Sequence, residues 1–276
     1  MAASTDKYRF QSPESSKPIR LWHPFLSPHS RDHSDRKSHQ MRPFFVKVGL
    51  NSEARGSSYI ETGNHKVICT IHGPNPFRKD FVYDGKGRLN VDVRYAPGAL
   101  PTRRLNPGKD VEAPLLSRQL HQAIYPAVIL ESFPKSVVDV CVTILECDAP
   151  FRDISCGITA ASVALADAGI ELRGLVIGTC MMYKQPITPE NRLIDPTWCE
   201  SLSCNAQLSC SIIPALNSVT SVKMDGNIRN EEVKNATKEL VSAAEAIHGI
   251  LRECLVKSSS NSKKFQGNVK RSSKLS

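Results

Sequence analysis

The stretch Thr159–Gly169, TAASVALADAG, constrains the fold of this chain most. Its side chains are nearly all small, so a helix built from it is thin. A thin helix lets a neighbouring sheet approach its backbone closely. Gly169 stands where that helix must stop, as a C′ residue able to turn left-handed.

Around this helix the pattern alternates. SSYIETGNHKVICTIHGP predicts a hairpin, Ser57–Glu61 and Lys66–Gly73, turning at Thr62-Gly63-Asn64-His65. LNVDVRYAP predicts an alternating strand, and SVVDVCVTILEC a strongly β-branched one. PLLSRQLHQAI predicts a helix with Leu115, Leu116, Leu120 and Ile124 on one face. In 231–256 apolar residues recur at helical spacing: Val233, Ala236, Leu240, Ala244, Ile247, Leu251 and Leu255. No solenoid repeat is present. The expected class is α+β, with helices packed on sheet.

Charge divides the chain into three parts. Residues 1–40 carry seven Lys/Arg and four Asp/Glu, and 257–276 carry six Lys/Arg and no acid. The middle therefore holds 23 basic and 23 acidic residues, so the net charge of +9 belongs to the tails. Both tails are predicted to be disordered, being rich in Ser with few aliphatics, and the domain spans 41–256. An apolar island at Leu21–Leu26 is either a docking segment or only a sticky patch. The basic tail reads as a solubility segment, a phosphate contact or a nuclear-import signal. With aromatics at 6% and a neutral domain, a stand-alone RNA-binding module is disfavoured.

No run reaches the roughly 18–20 apolar residues that span a bilayer. MAASTDKYRF lacks the apolar core of a secretory signal. The nine cysteines are therefore expected to be free thiols in a reducing compartment. Cys199, Cys204 and Cys210 cluster most tightly, but without the C-x-x-C spacing of structural zinc. No metal ligand and no cofactor is assigned.

Four collinear stretches, NSEARGSSYIETGNHKVICTIHGP, YPAVILESFPKSVVDVCVTILECD, ITAASVALADAGIELRGLVIG and LIDPTWCE, resemble the RNase PH family over about residues 42–256. LIDPTWCE followed by LSCSIIPALNSV resembles the branch of eukaryotic exosome ring subunits named for a messenger-RNA transport defect. The resemblance implies an RNase PH-like domain of the ribosomal protein S5 domain 2-like type, with mixed sheets packed with helices. It also implies a heterohexameric ring of such chains, a cap subunit with OB domains and single-stranded RNA in the channel. The implied sites of action are the nucleus, nucleolus and cytoplasm.

Active members cleave RNA with phosphate, and the resemblance places their machinery in three segments. The first is a Gly-Gly-Thr-Arg phosphate turn. Here Asp148–Ser155 reads DAPFRDIS, without either glycine or the threonine. Pro150 removes an amide donor, and Asp153 adds negative charge where phosphate would sit. Arg152 stands nearby out of register, as a remnant or an ordinary loop arginine. The second is the PLLSRQLHQAI helix, which keeps Arg118 as an RNA contact. There His121 and Gln122 replace basic residues, and a neutral imidazole is a poor substitute for a guanidinium fork.

The third segment is LIDPTWCESLSCNAQLSC. Active members carry one acid after the Glu matching Glu200 and a second six residues later. Those positions are Ser201 and Gln207, and neither can act as a carboxylate base or hold Mg²⁺ strongly. Asp195 is expected to shape the turn with Pro196. Arg103 and Arg104 sit on a Pro/Gly-rich loop that faces the central channel in this family, so they join Arg118 as RNA-binding candidates. The resemblance thus implies a non-catalytic subunit that scaffolds the ring, rather than an enzyme. The alternative is an active phosphate-dependent 3'-5' exoribonuclease.

Overall fold

The hairpin that opens the described domain turns at Gly63-Asn64, between β2 (Gly56–Thr62) and β3 (His65–Pro76). Gly63 has φ +58°, the conformation a two-residue turn with glycine first requires. The computed structural model describes residues 38–76, 85–99, 112–147, 150–184, 191–197, 200–201 and 204–272, with backbone alone at 112, 150–151 and 261–272.

Among the described residues two sheets carry the fold. The first has the order β1 (Phe45–Val48), β2, β3, β5 (Ser136–Glu146), β4 (Arg88–Tyr95). Its strands are antiparallel except for the parallel pair β4–β5, so the sheet is mixed. The second has the order β7 (Arg192–Ile194), β6 (Ile177–Lys184), β8 (Cys204–Ile213), β9 (Ser218–Asp225), all antiparallel. Helix α1 (Glu112–Ile124) packs on β4, and α3 (Asn230–Ser272) packs on β6 and β8.

Between the sheets lies α2 (Pro150–Asp167), touching β2, β3 and β5 of one and β6 and β8 of the other. This is the small-residue helix, and the close approach expected of it is present. A Cβ added to Gly56 would overlap the backbone of Ala164 and Ala168, and one added to Gly178 would overlap the backbone of Ser155. Ala160, Ala161, Ala164 and Leu165 join the core of the first sheet, while Val163 joins that of the second. At its end, the N–H groups of Gly169 and Ile170 donate to the carbonyls of Ala166 and Leu165, a Schellman closure with Gly169 at φ +72°.

Ala236, Leu240, Ala244, Ile247 and Leu251 of α3 are buried, with Val233 and Leu255 packed at the margin, as the spacing predicts. Leu115 departs from the predicted face of α1: it is 55% exposed, while Leu116, Leu120 and Ile124 are buried. One residue is a rotation of about 100°, which carries Leu115 off the stripe that continues through Ala123. The basic tail departs as well. It was expected to be disordered from 257, yet the α3 backbone is helical to Ser272. No proline interrupts it, and an anchored helix extends without a new nucleation cost. Among the described residues no helix is long and apolar enough to cross a membrane.

Candidate functional site

The first and third expected segments meet where β7 ends and α2 begins, joined by Arg152 and Asp195, whereas the second, α1, packs on β4. Pro150–Ser155 does not form a loop there, because the helical backbone of α2 begins at Pro150. That single difference redirects the two charged residues that follow.

Arg152 is not a loop arginine, because it lies in the first turn of α2. Its side chain is 3% exposed and its guanidinium pairs with the Asp195 carboxylate. Asp195 accepts a second guanidinium, that of Arg42, through Nε at 3.3 Å, and also the Arg42 backbone N–H at 3.0 Å. Arg42 Nη2 donates to the Pro196 carbonyl at 3.0 Å. Asp195 has φ +57°, a left-handed conformation costing roughly 1–2 kcal/mol in an L residue. The two arginines hold it there, so Asp195 does shape the turn with Pro196, as expected, and anchors the start of the described chain as well.

Two guanidiniums thus meet at one carboxylate. Cys156, one turn further along α2, lies beside them. Burial alone would push its thiol up, but the neighbouring His65 ring and Arg152 guanidinium outweigh burial and bring it down to about 6. Burial pushes Arg152 down, with the Cys156 charge opposing. The cleft bounded by Arg152, Cys156, Gly178, Cys180 and Asp195 holds about 20 Å³, room for a single water.

Asp153 points away from that cleft, so it does not lie at a phosphate position beside Arg152. It is fully buried between β3 and β4. It accepts the Tyr95 hydroxyl at 2.7 Å and the Cys147 thiol at 3.2 Å on Oδ2, and faces His65 Nδ1 at 3.5 Å. A helix places successive residues about 100° apart, so Arg152 and Asp153 are sent to different sides of α2.

Glu200 has a local task. Its Oε2 accepts the Thr197 N–H at 2.9 Å, and its own N–H donates to Thr197 Oγ1 at 3.3 Å. This reciprocal pair is a capping box, readable in the sequence as Thr197-x-x-Glu200. Ser201 follows on the same helical turn, partly exposed. Gln207 lies on β8 opposite Asp225 of β9, and its Nε2 donates to Asp225 Oδ2 at 3.3 Å. Sequence reading missed Asp225, whose nearness depends on strand pairing, and Arg42, which no local spacing links to Asp195.

Arg118 is exposed on α1, and Gln119 beside it accepts Lys223 Nζ from β9 at 3.3 Å. His121 lies against Tyr125, with ring centroids 5.3 Å apart. Arg103, Arg104, Cys199 and the island at 21–26 fall outside the described residues. The described cysteines are free, with Cys210 buried and Cys204 half-buried. Neither belongs to a cluster of possible metal ligands, whereas His65, Cys147 and Asp153 do.

Residues 40–171 match the model of the 3' exoribonuclease family, domain 1, the RNase PH model. The chain is 36% identical to the exosome complex component Rrp41 of Pyrococcus furiosus, over 80% of this chain and 86% of that protein. It belongs to the RNase PH family. It is also 31% identical to the exosome complex component MTR3 of Mus musculus, over 91% of this chain and 95% of that one. The MTR3 name is that of the branch to which LIDPTWCE points. Among solved structures, rice Rrp46 superposes with a TM-score of 0.68 at 18% identity, covering 80% of this chain and 98% of that one. The two-sheet α+β arrangement around α2 is therefore an RNase PH fold.

Proposed function

We propose that this chain is a non-catalytic subunit of the RNA exosome ring. It scaffolds the complex and its RNA channel in 3'-5' RNA processing and degradation, including that of ribosomal RNA. The observation that carries this reading is Gln207: an amide occupies the position of the second acid and is engaged by Asp225. Ser201 at the first acid position supports it, as does Arg152, whose guanidinium is committed to Asp195 inside the fold. Its relatives named as exosome complex components match most of its length. Its partners are then other RNase PH-like ring chains in a heterohexamer, an OB-domain cap subunit and single-stranded RNA. Arg103, Arg104 and Arg118 would contact that RNA, and the complex would act in nucleus, nucleolus and cytoplasm.

The test is incubation of the purified chain with poly(A), inorganic phosphate and Mg²⁺. No phosphate-dependent release of nucleoside diphosphate is expected, and such release would overturn the reading. A second reading, an active phosphate-dependent exoribonuclease, draws on Asp225, which puts a carboxylate beside the second acid position. If diphosphates appear and the Asp225→Asn chain no longer releases them, that second reading holds.

A further inference from the structure

His65 opens β3, Cys147 directly follows β5, and Asp153 lies in the first turn of α2. The β3–β5 register pairs Lys66 with Glu146, which brings His65 and Cys147 to the same end of the sheet. One ligand atom from each of the three residues falls within 4.8 Å of the others, and all three side chains are buried. We propose that His65, Cys147 and Asp153 form a buried divalent-metal site suited to Zn²⁺, pinning the start of α2 to the first sheet.

The three ligands lie near enough to close on an ion with small side-chain movements. Zinc bonds of about 2.0–2.3 Å to N, O and S give tetrahedral edges of about 3.3–3.8 Å. Cys147 Sγ lies 3.2 Å from Asp153 Oδ2, and His65 Nδ1 lies 3.5 Å from the other oxygen, Asp153 Oδ1, so the carboxylate would turn both oxygens to the ion or rotate one onto it as the three ligands draw in from their 4.8 Å spread. The second separation is long for a hydrogen bond, and beyond it the fully buried His65 ring has only the neighbouring Cys156 thiol, with neither ring nitrogen in close hydrogen-bond geometry. A buried imidazole held by such loose contacts is costly as it stands; as a neutral metal ligand it is satisfied. The donor set is one imidazole, one thiolate and one carboxylate, whose two negative charges balance a divalent ion. Nitrogen with thiolate favours zinc over the hard, oxygen-bound Mg²⁺ or Ca²⁺. Binding releases the Cys147 thiol proton. The Tyr95 hydroxyl, 2.7 Å from Asp153 Oδ2, would orient the ligating carboxylate from outside. Cys156 also neighbours His65 but lies outside the converging set. The inference is independent of whether the chain cleaves RNA.

The experiment uses the full chain, expressed with its ring partners if it requires them. Zinc content is measured after gel filtration without chelator, and Co²⁺ is then exchanged in. The expected result is one metal per chain, with a thiolate-to-Co²⁺ charge-transfer band in the near ultraviolet and strong visible bands of a tetrahedral site. Cys147→Ser should abolish the charge-transfer band, Asp153→Asn should weaken Co²⁺ binding at least ten-fold, and Cys141→Ser on the same strand should change neither. Absence of Co²⁺ uptake by the wild-type chain, or uptake without a thiolate band, overturns the proposal even if the variants fail to fold. A band that survives in Cys147→Ser assigns the metal to another cysteine and overturns it equally.

Discussion

Arg152 in the first turn of α2 and Asp195 at the end of β7 form an ion pair with both side chains inside the protein, 3% and 5% exposed. Arg42 completes it from the start of the described chain. Removing the carboxylate strands the buried Arg152 guanidinium, whereas removing Arg152 leaves Asp195 paired with Arg42. Breaking a buried pair costs about 3–5 kcal/mol when a charge is left uncompensated. Asp195→Ala is therefore expected to destabilise the fold by that order and Arg152→Met by clearly less. Urea unfolding of both variants checks the ordering; equal losses would contradict it.

Restoring acids should not restore chemistry. In the Ser201→Asp, Gln207→Asp double variant, Arg152 is still held by Asp195 and the helix still begins at Pro150, so no phosphate turn forms. No phosphorolysis of poly(A) is expected. The Gln207→Asp change also sets a carboxylate opposite Asp225, and like charges facing across a strand pair cost about 0.2–1 kcal/mol. A nucleoside diphosphate assay and a thermal melt read the two outcomes, and recovered activity would show that the acids alone had been limiting.

Glycine replacements separate close packing from helix propensity. A Cβ at Gly178 or Gly56 overlaps backbone of α2, while one at Gly249 on α3 meets nothing within 4 Å. Gly178→Ala and Gly56→Ala are expected to destabilise by about 1–3 kcal/mol or more. Gly249→Ala should stabilise by up to about 1 kcal/mol. Denaturation midpoints of the three variants decide; a neutral Gly178→Ala would mean that α2 and β6 can part freely.

Among the α3 residues with described side chains, burial ends at Leu251, with Leu255 at the margin, so deleting 258–276 should leave the melting temperature of the domain unchanged. It should weaken RNA binding at low salt, because the tail's contacts release counterions and carry no sequence information. Filter binding across a salt series, together with a melt, tests this; a lower melting temperature would show that the helical extension supports the fold.

Arg118 is exposed, and Arg118→Glu should alter stability by no more than about 0.5 kcal/mol. In the reconstituted ring, Arg118→Glu and the Arg103→Glu, Arg104→Glu pair are each expected to shorten the RNA protected from added nuclease. Protection of the same fragment at the wild-type rate of degradation would remove these arginines from the RNA path.

The sequence by itself determined whatever depends on neighbours along the chain. The hairpin at Gly63-Asn64, the small-residue helix with its Gly169 closure and the buried stripe of α3 follow from turn chemistry and from period 3.6 or 2. The capping box of Thr197 and Glu200 was equally local. Tertiary structure decided where the charges went. Asp148–Ser155 reads as a damaged phosphate turn, yet Pro150–Ser155 opens a helix that sends Arg152 towards Asp195 and Asp153 towards His65 and Cys147. The partners of a buried charge come from segments far apart in the chain, brought together by strand pairing and helix rotation. A buried ion must find its counter-charge within a few ångströms, and no spacing between neighbouring residues encodes which distant segment will supply it.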